Sequence, residues 1–251
     1  MRKLHVIMPM AGEGSRFKNG GVDIPKPLIK ANGVPFFVRA LYGVTDRFSL
    51  DDIKVTCIIQ RKHNNEYNIS DSIKREIPNA NVVILNSPTR GSVETCMSAL
   101  PYISATDAIL ILDCDIEWRC YNYISFIELL LRTGYNDSIG GALLSFNSHD
   151  DRYSYALCDD HNFVIRTAEK KAISNNALVG AYYFSTASDF ILSAETLIEK
   201  NNILIIKEYY TSLLYNILIE NGRQVQLFKT DKLYSFGTPE ELYHYEQLNM
   251  S

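Results

Sequence analysis

No stretch of this 251-residue chain approaches the ~18 consecutive apolar residues of a membrane-crossing helix. The opening run Met-Arg-Lys-Leu-His-Val-Ile-Met-Pro has too short an apolar core for a secretory signal. Cysteine is sparse, with five residues at positions 57, 96, 114, 120 and 158, and no two have zinc-finger or redox spacing. They read as free buried thiols of a reducing compartment. These absences predict a soluble cytoplasmic protein with no membrane partner. A basic excess is also missing. The net charge of −4 argues against general nucleic-acid binding, which needs a broad basic face, but leaves room for a local anion site. The histidines at 5, 63, 149, 161 and 244 form no motif, and no Gly-x-Ser-x-Gly elbow or Cys/His nucleophile pattern occurs. Repeats, low-complexity tracts and a clear linker are lacking too.

What is present is ordinary globular material, 46% hydrophobic and 22% charged, enough for a sizeable core. Short apolar runs at 4–8, 53–59, 82–85, 108–112 and 139–146 are rich in β-branched residues, as expected of strands covered on both faces. Helical patterns fall between them. Pro35 opens one that carries Phe37, Ala40, Leu41 and Val44 on a stripe; Ser92 caps a second with Cys96, Ala99 and Leu100; residues 121–132 form a third. Strand followed by helix from the N-terminus predicts an α/β fold with a mainly parallel sheet. Beyond about residue 137 the pattern changes. Segments 153–158 and 163–167 flank the turn Asp159-Asp160-His161-Asn162 and read as a hairpin, and 178–184 and 225–229 read as strands. Helices are expected at 187–200 and 208–220, and a further one starts at Thr238-Pro239-Glu240-Glu241. A single domain over 1–251 is the simplest organisation.

The chemistry is concentrated first in Met8-Pro9-Met10-Ala11-Gly12-Glu13-Gly14-Ser15-Arg16-Phe17 and the following Pro25-Lys26-Pro27-Leu28. A glycine loop directly after the first strand lets backbone N–H groups approach a phosphate, and Gly12 and Gly14 permit a sharp bend. Phe17 stands where a dinucleotide fingerprint has its third glycine, and no Gly-Lys-Ser/Thr follows as in a Walker loop. Arg16 offers a planar donor fork for phosphate oxygens, and Lys26 is a point charge stiffened between two prolines. Singly, each is an ordinary surface cation. Together, behind a first strand, they point to a phosphate site.

The second concentration is the apolar strand 109–112 ending in Asp113-Cys114-Asp115. Carboxylates at the C-terminal end of a strand in an α/β sheet sit where ligands bind, and Mg²⁺ favours one or two carboxylates together with phosphate oxygens.

Gly-x-Gly-Ser-Arg-Phe followed by Pro-Lys-Pro-Leu resembles the signature of the sugar-phosphate nucleotidyltransferases, and the resemblance extends over nearly the whole chain. It is most similar to a branch found in bacterial capsule biosynthesis. It implies a three-layer, Rossmann-like GT-A nucleotidyltransferase fold with a mixed, mostly parallel central sheet. The half up to about residue 118 would bind nucleotide and the half from about 138 to 251 the acceptor. The implied reaction moves a nucleoside monophosphate from an NTP to a sugar 1-phosphate or another phosphorylated small molecule and releases pyrophosphate. A pyrimidine is implied, with a slight preference for CTP.

The resemblance assigns roles by position. Arg16 binds the NTP phosphates, Lys26 bridges the α-phosphate and the acceptor phosphate, and Asp115 holds Mg²⁺, with Asp113 acting through water or through its field. Met10, Ala11, Gly12, Gly14 and Ser15 form the nucleotide loop. Gly91 and Ser92, in Ser87-Pro88-Thr89-Arg90-Gly91-Ser92, correspond to the base-recognition loop. Glu169 and Lys170 match a Glu-Lys acceptor motif, Ser154 stands where many relatives have glycine after Arg-Tyr, Gly180 lies on the strand that floors the acceptor pocket, and Glu208 is a late acid near it. Such relatives often self-associate, so a homo-oligomer is compatible with the match.

Two departures stand out. Lys171 replaces a proline after the Glu-Lys pair, and Ser235 occupies the place of a second metal aspartate in Leu233-Tyr234-Ser235-Phe236-Gly237-Thr238-Pro239. The site then holds Mg²⁺ through Asp115, water and phosphates, or is impaired, or uses another acid. Asp113-Cys114-Asp115 also has the Asp-x-Asp form of GT-A glycosyltransferases, the rival enzyme reading. A nucleotide-binding relative without turnover is the non-enzyme alternative.

Overall fold

The computed structural model describes residues 2–134, 138–200 and 208–248. Its strands are β1 (Leu4–Pro9), β2 (Lys30–Ala31), β3 (Val34–Pro35), β4 (Lys54–Gln60), β5 (Asn81–Leu85), β6 (Ala108–Leu112), β7 (Ile116–Arg119), β8 (Ile139–Asn147), β9 (Ser154–Cys158), β10 (Val164–Glu169), β11 (Asn176–Phe184), β12 (Gln224–Lys229) and β13 (Lys232–Ser235). Its helices are α1 (Ser15–Asn19), α2 (Phe36–Thr45), α3 (Arg61–Tyr67), α4 (Ile69–Glu76), α5 (Ser92–Met97), α6 (Tyr121–Thr133), α7 (Ala187–Lys200), α8 (Leu214–Glu220) and α9 (Pro239–Leu248).

The central sheet runs β5-β4-β1-β6-β11-β8-β12. Strands β5, β4, β1 and β6 are mutually parallel, as are β8 and β12, while β11 is antiparallel to both its neighbours β6 and β8. The β9–β10 hairpin leans on the start of β11 through Ala177 opposite Tyr155. The expected mixed, mostly parallel sheet is therefore observed. Side chains of successive strand residues point to opposite faces, and each face carries its own core. On β6, Leu110 and Leu112 join one core and Ile109 and Ile111 the other; on β1, Val6 and Met8 oppose Ile7. The apolar stripes of α2, α4 and α6 cover the first face, and those of α5, α7 and α8 the second. This gives the three layers that the unbroken apolar strands call for.

A third, smaller cluster joins Phe17, Ile29, Ala31 and Phe36 to Phe236 and Tyr245, with the Phe36 and Phe236 rings stacked at 4.8 Å. It fastens the glycine loop to the late segment. Nearby, the buried Arg39 guanidinium donates to Glu117 Oε2 and to Tyr245 Oη, both at 2.6 Å, and to the Ala31 carbonyl at 2.7 Å. No described helix is long and apolar enough to cross a membrane.

Several element boundaries differ from expectation. Pro35 precedes α2 and Gly91, not Ser92, is the cap of α5. The expected helix at 208–220 begins only at Leu214, after a 3-10 turn over Thr211–Leu213. Tyr209 cannot be helical because its N–H donates to Arg90 O (2.8 Å) and its carbonyl accepts from Val93 N (3.1 Å). Between β4 and β5 the sequence predicts no helix, yet α3 and α4 stand there. The first buries only His63 and the second Ile69 and Ile73, too few apolar positions for a clear stripe.

Candidate active site

Because β1, β4 and β6 are parallel, their C-terminal ends open on one edge of the sheet, the usual ligand edge of an α/β fold. The glycine loop leaves β1 there, Gln60 ends β4, and Asp113 follows β6. Three adjoining clefts meet at that edge, and Asp113 lines all three.

The first cleft is built by the glycine loop, with Met10, Gly12, Gly14, Ser15, Arg16 and Lys26 in its wall. Gly14 caps α1 in the left-handed region, with φ 64°. Gly12 does not have positive φ, and a Cβ there would meet nothing within 4 Å, so the sharp bend expected at both glycines belongs to Gly14. Met10 is a core residue whose N–H donates to Ile58 O at 2.8 Å, and Ala11 presents its carbonyl to Gln60. The Arg16 guanidinium forms no hydrogen bond or ion pair with the described residues and borders both this cleft and the next. The Pro25-Lys26-Pro27-Leu28 turn aims the Lys26 ammonium at Asp115 Oδ2, with which it forms an ion pair.

Burial acts against charge at each member of this cluster. It lowers the Lys26 pKa, but the Asp115 carboxylate overcomes it and holds the ammonium above its ordinary range. It raises Asp115, but Lys26 overcomes it and keeps that carboxyl below its ordinary range. Asp113 lacks such a partner, and burial with the adjacent Asp115 charge pushes it up to about 8. Its N–H donates to Gly180 O at 2.9 Å. Gly180 has φ 100°, and a Cβ on it would stand 2.5 Å from Asp113 Oδ2, so this glycine is required by the approach of Asp113. It supports Asp113 from below instead of facing the cleft.

The second cleft lies over β9–β11. Ser154 and Glu169 are directly opposite each other in the β9–β10 register, and the Ser154 hydroxyl donates to Glu169 Oε2. Ser212 Oγ donates to the same oxygen at 3.0 Å. Tyr153, Tyr182, Tyr210 and Arg152 complete the wall, with Glu208 at the rim. Lys170 turns away from the lining: it has φ 51°, and its ammonium donates to Tyr210 Oη at 2.5 Å, whose hydroxyl in turn donates to Glu208. Ser235 is in this wall too. Its hydroxyl donates to Glu241 Oε2 at 2.9 Å, beside the Gly237 N–H at 2.7 Å, while Glu241 Oε1 accepts from Arg152 at 2.5 Å.

The third cleft is bounded by Ala11, Gly12, Glu13, Gln60 and the 88–92 loop. Gly91 has φ 135°, and a Cβ would sit 2.6 Å from both N and O of Tyr209. Ser92 ties the same two segments, its hydroxyl meeting Thr211 Oγ1 at 2.8 Å and accepting from Thr211 N at 3.1 Å. Both residues thus have a packing duty that the loop pattern alone did not reveal.

Gln60, Tyr182, Tyr210, Ser212 and Glu241 were not singled out by the sequence. Gln60 could have been, as the polar residue that ends an apolar strand. The sequence marks Glu241 only as a helix-start residue.

No protein-family model matches the chain, and no curated protein does. Solved structures do. A nucleoside-diphosphate-sugar pyrophosphorylase from Vibrio cholerae RC9 superposes with a TM-score of 0.82 at 22% identity, over 96% of this chain and 99% of the other. A putative glucose-1-phosphate thymidylyltransferase from Bacillus anthracis, in complex with a sucrose, gives 0.76 at 15% identity, over 99% and 95%. The inositol-1-phosphate CTP transferase from T. maritima gives 0.71 at 12% identity, over 98% and 95%. At these identities the likeness concerns architecture, and the chain has, from end to end, the Rossmann-like α/β fold of these nucleotidyltransferase structures.

Proposed function

We propose that this protein is a cytoplasmic nucleotidyltransferase that moves a nucleoside monophosphate from an NTP to a sugar 1-phosphate or a similar phosphorylated small molecule. The observation that carries the reading is the Lys26–Asp115 ion pair: Lys26 lines the glycine-loop cleft, and Asp115 and Arg16 line both that cleft and the β9–β11 cleft. The named structures of like fold support it. Similarity to the capsule branch favours a pyrimidine, with CTP ahead, and a place in capsule or surface polysaccharide biosynthesis.

In the reaction an acceptor phosphate oxygen attacks the α-phosphorus in line. The new P–O bond forms as the bond to the β-phosphate oxygen breaks, and pyrophosphate leaves with the bonding pair. Two anions must be brought together, so positioning and charge compensation supply most of the rate. Lys26, kept protonated by Asp115, would meet the phosphates from the glycine-loop side, beside the carboxylate that borders both clefts. Arg16, which borders both clefts, would face the leaving pyrophosphate. Glu169 has one oxygen saturated by Ser154 and Ser212 and offers the other to an acceptor hydroxyl.

A divalent cation fits this donor set. Asp113 and Asp115 are hard oxygen donors at one strand end, and Asp113 held up to about 8 marks a pair short of positive charge. Mg²⁺ needs only one or two carboxylates from the protein, because it keeps water and substrate phosphates in its shell. Asp115 would hold it, and when bound it would neutralise charge on the NTP phosphates.

Pyrophosphate release measured across the four NTPs and a panel of phosphorylated metabolites tests the assignment. Release that requires both an NTP and a phosphorylated acceptor supports it; release of NDP from an NDP-sugar would replace it with a glycosyltransferase.

A further inference from the structure

Gln60 ends β4 and is only 6% exposed, yet it borders the third cleft. Its amide nitrogen donates to Ala11 O at 2.5 Å and to Glu13 Oε1 at 3.1 Å. Neither partner can donate: one is a peptide carbonyl and the other a carboxylate, whose pKa is lowered first by this very hydrogen bond and then by Lys18. The carboxamide is therefore oriented in one way, nitrogen toward the loop and oxygen away from it. That oxygen has no partner among the described residues and is not sealed from solvent. It is a fixed, unpartnered acceptor at the cleft wall.

The other polar groups there do not reverse this sign. The Arg90 guanidinium is bound to Glu94 at 2.9 Å and lies over the Tyr209 ring. The Thr89 and Thr95 hydroxyls bond to each other at 2.6 Å and to Gly91 O. Glu13 and Glu208 add acceptors.

We propose that Gln60 reads the nucleobase, its carboxamide oxygen accepting a hydrogen bond from an exocyclic amino group, so that the site takes a cytosine nucleotide in preference to a uracil or thymine one. The inference rests on the reading of this cleft as the base site of a nucleotidyltransferase. The 4-amino group of cytosine carries two hydrogens for such an acceptor. An oxygen placed opposite the 4-position meets the 4-oxo group of uracil or thymine, a second acceptor, where cytosine presents a donor. A buried acceptor left unpaired discriminates more strongly than an apolar contact can.

The test is calorimetric titration of the full chain with CTP, UTP, dTTP and the triphosphate of 2-pyrimidinone riboside, which is CTP without its amino group. The wild type is expected to bind CTP at least about tenfold more tightly than the other three. Gln60→Leu, checked for folding by circular dichroism, is expected to bring CTP and UTP within about twofold of each other by removing the acceptor. Equal binding of CTP and the 2-pyrimidinone analogue by the wild type overturns the proposal without recourse to any variant, as does UTP binding as tight as CTP. A CTP preference that survives in Gln60→Leu overturns it as well. If the wild type binds no nucleoside triphosphate, the nucleotidyltransferase reading itself fails and this inference goes with it, whereas tight but amine-blind binding sinks only the role of Gln60.

Discussion

Gly91 and Tyr209 lie so close that a methyl group on the glycine would stand 2.6 Å from both the backbone N and the backbone O of the tyrosine. Two strand-like hydrogen bonds, Tyr209 N to Arg90 O and Val93 N to Tyr209 O, close this contact. Gly91→Ala adds the clash to a φ of 135° that L side chains rarely adopt. The variant is expected to lose about 2–4 kcal/mol of stability, read from urea unfolding. A midpoint unchanged from wild type would show that the two segments can separate at no cost.

Lys26→Ala removes the charge proposed to meet the two phosphates and leaves Asp115 without its ion-pair partner. By analogy with removal of a preorganised charge-stabilising donor, turnover should fall about 10²- to 10³-fold. Steady-state pyrophosphate release with saturating NTP and acceptor measures it, and near-normal turnover would rule out the proposed mechanism.

Chelation tests the role given to Asp113 and Asp115. EDTA should abolish pyrophosphate release and Mg²⁺ should restore it, while Asp115→Asn should stay inactive at Mg²⁺ concentrations that saturate the wild type. Undiminished activity in EDTA would mean that Lys26 and Arg16 suffice.

The legibility of this chain was uneven, for physical reasons. Strands such as 108–112 announce themselves because both faces are buried, so every residue is apolar. The polar helix α3 did not, because its single buried residue, His63, carries no periodic signal. The cationic pair Arg16 and Lys26 and the acids Asp113 and Asp115 were readable from their places after apolar strands. The partnership of Ser235 with Glu241 was not: it depends on α9 turning its first-turn carboxylate back over Gly237, a tertiary event that no local pattern encodes. Gly12 and Gly14 looked equivalent on the page, and only the backbone angles separate them.

His5 provides a pH signature. It is fully buried, with Nε2 2.7 Å from Thr56 Oγ1, and burial, then the nearby Lys54 charge, lowers its pKa from 6.5 to about 4. Between these values the unfolded chain binds a proton that the folded chain refuses, so this residue's contribution rises with pH across the window and is lost as pH falls from 6.5 to about 4. The stability of the wild type relative to His5→Gln should shrink by about 3 kcal/mol over that descent. A difference independent of pH in denaturant titrations at pH 4.5 to 7 (about the range named) would contradict the assignment.

Arg39→Ala should be among the more damaging substitutions. It leaves Glu117, 9% exposed, without its cation, and costs about 3–5 kcal/mol by the usual effect of breaking a buried pair. Guanidinium unfolding reads it, and a loss under about 1 kcal/mol would show that Tyr245 and water compensate.

The small cluster beneath the glycine loop has a temporal consequence. The rings that cover Phe17 and Phe36, those of Phe236 and Tyr245, are synthesised some two hundred residues after them. The sheet strands β1, β4, β5 and β6 can pair before then, since all lie in the first 112 residues. The glycine loop is thus seated only after Phe236 and Tyr245 have been synthesised, and a nascent chain exposes the loop's aromatic underside until then.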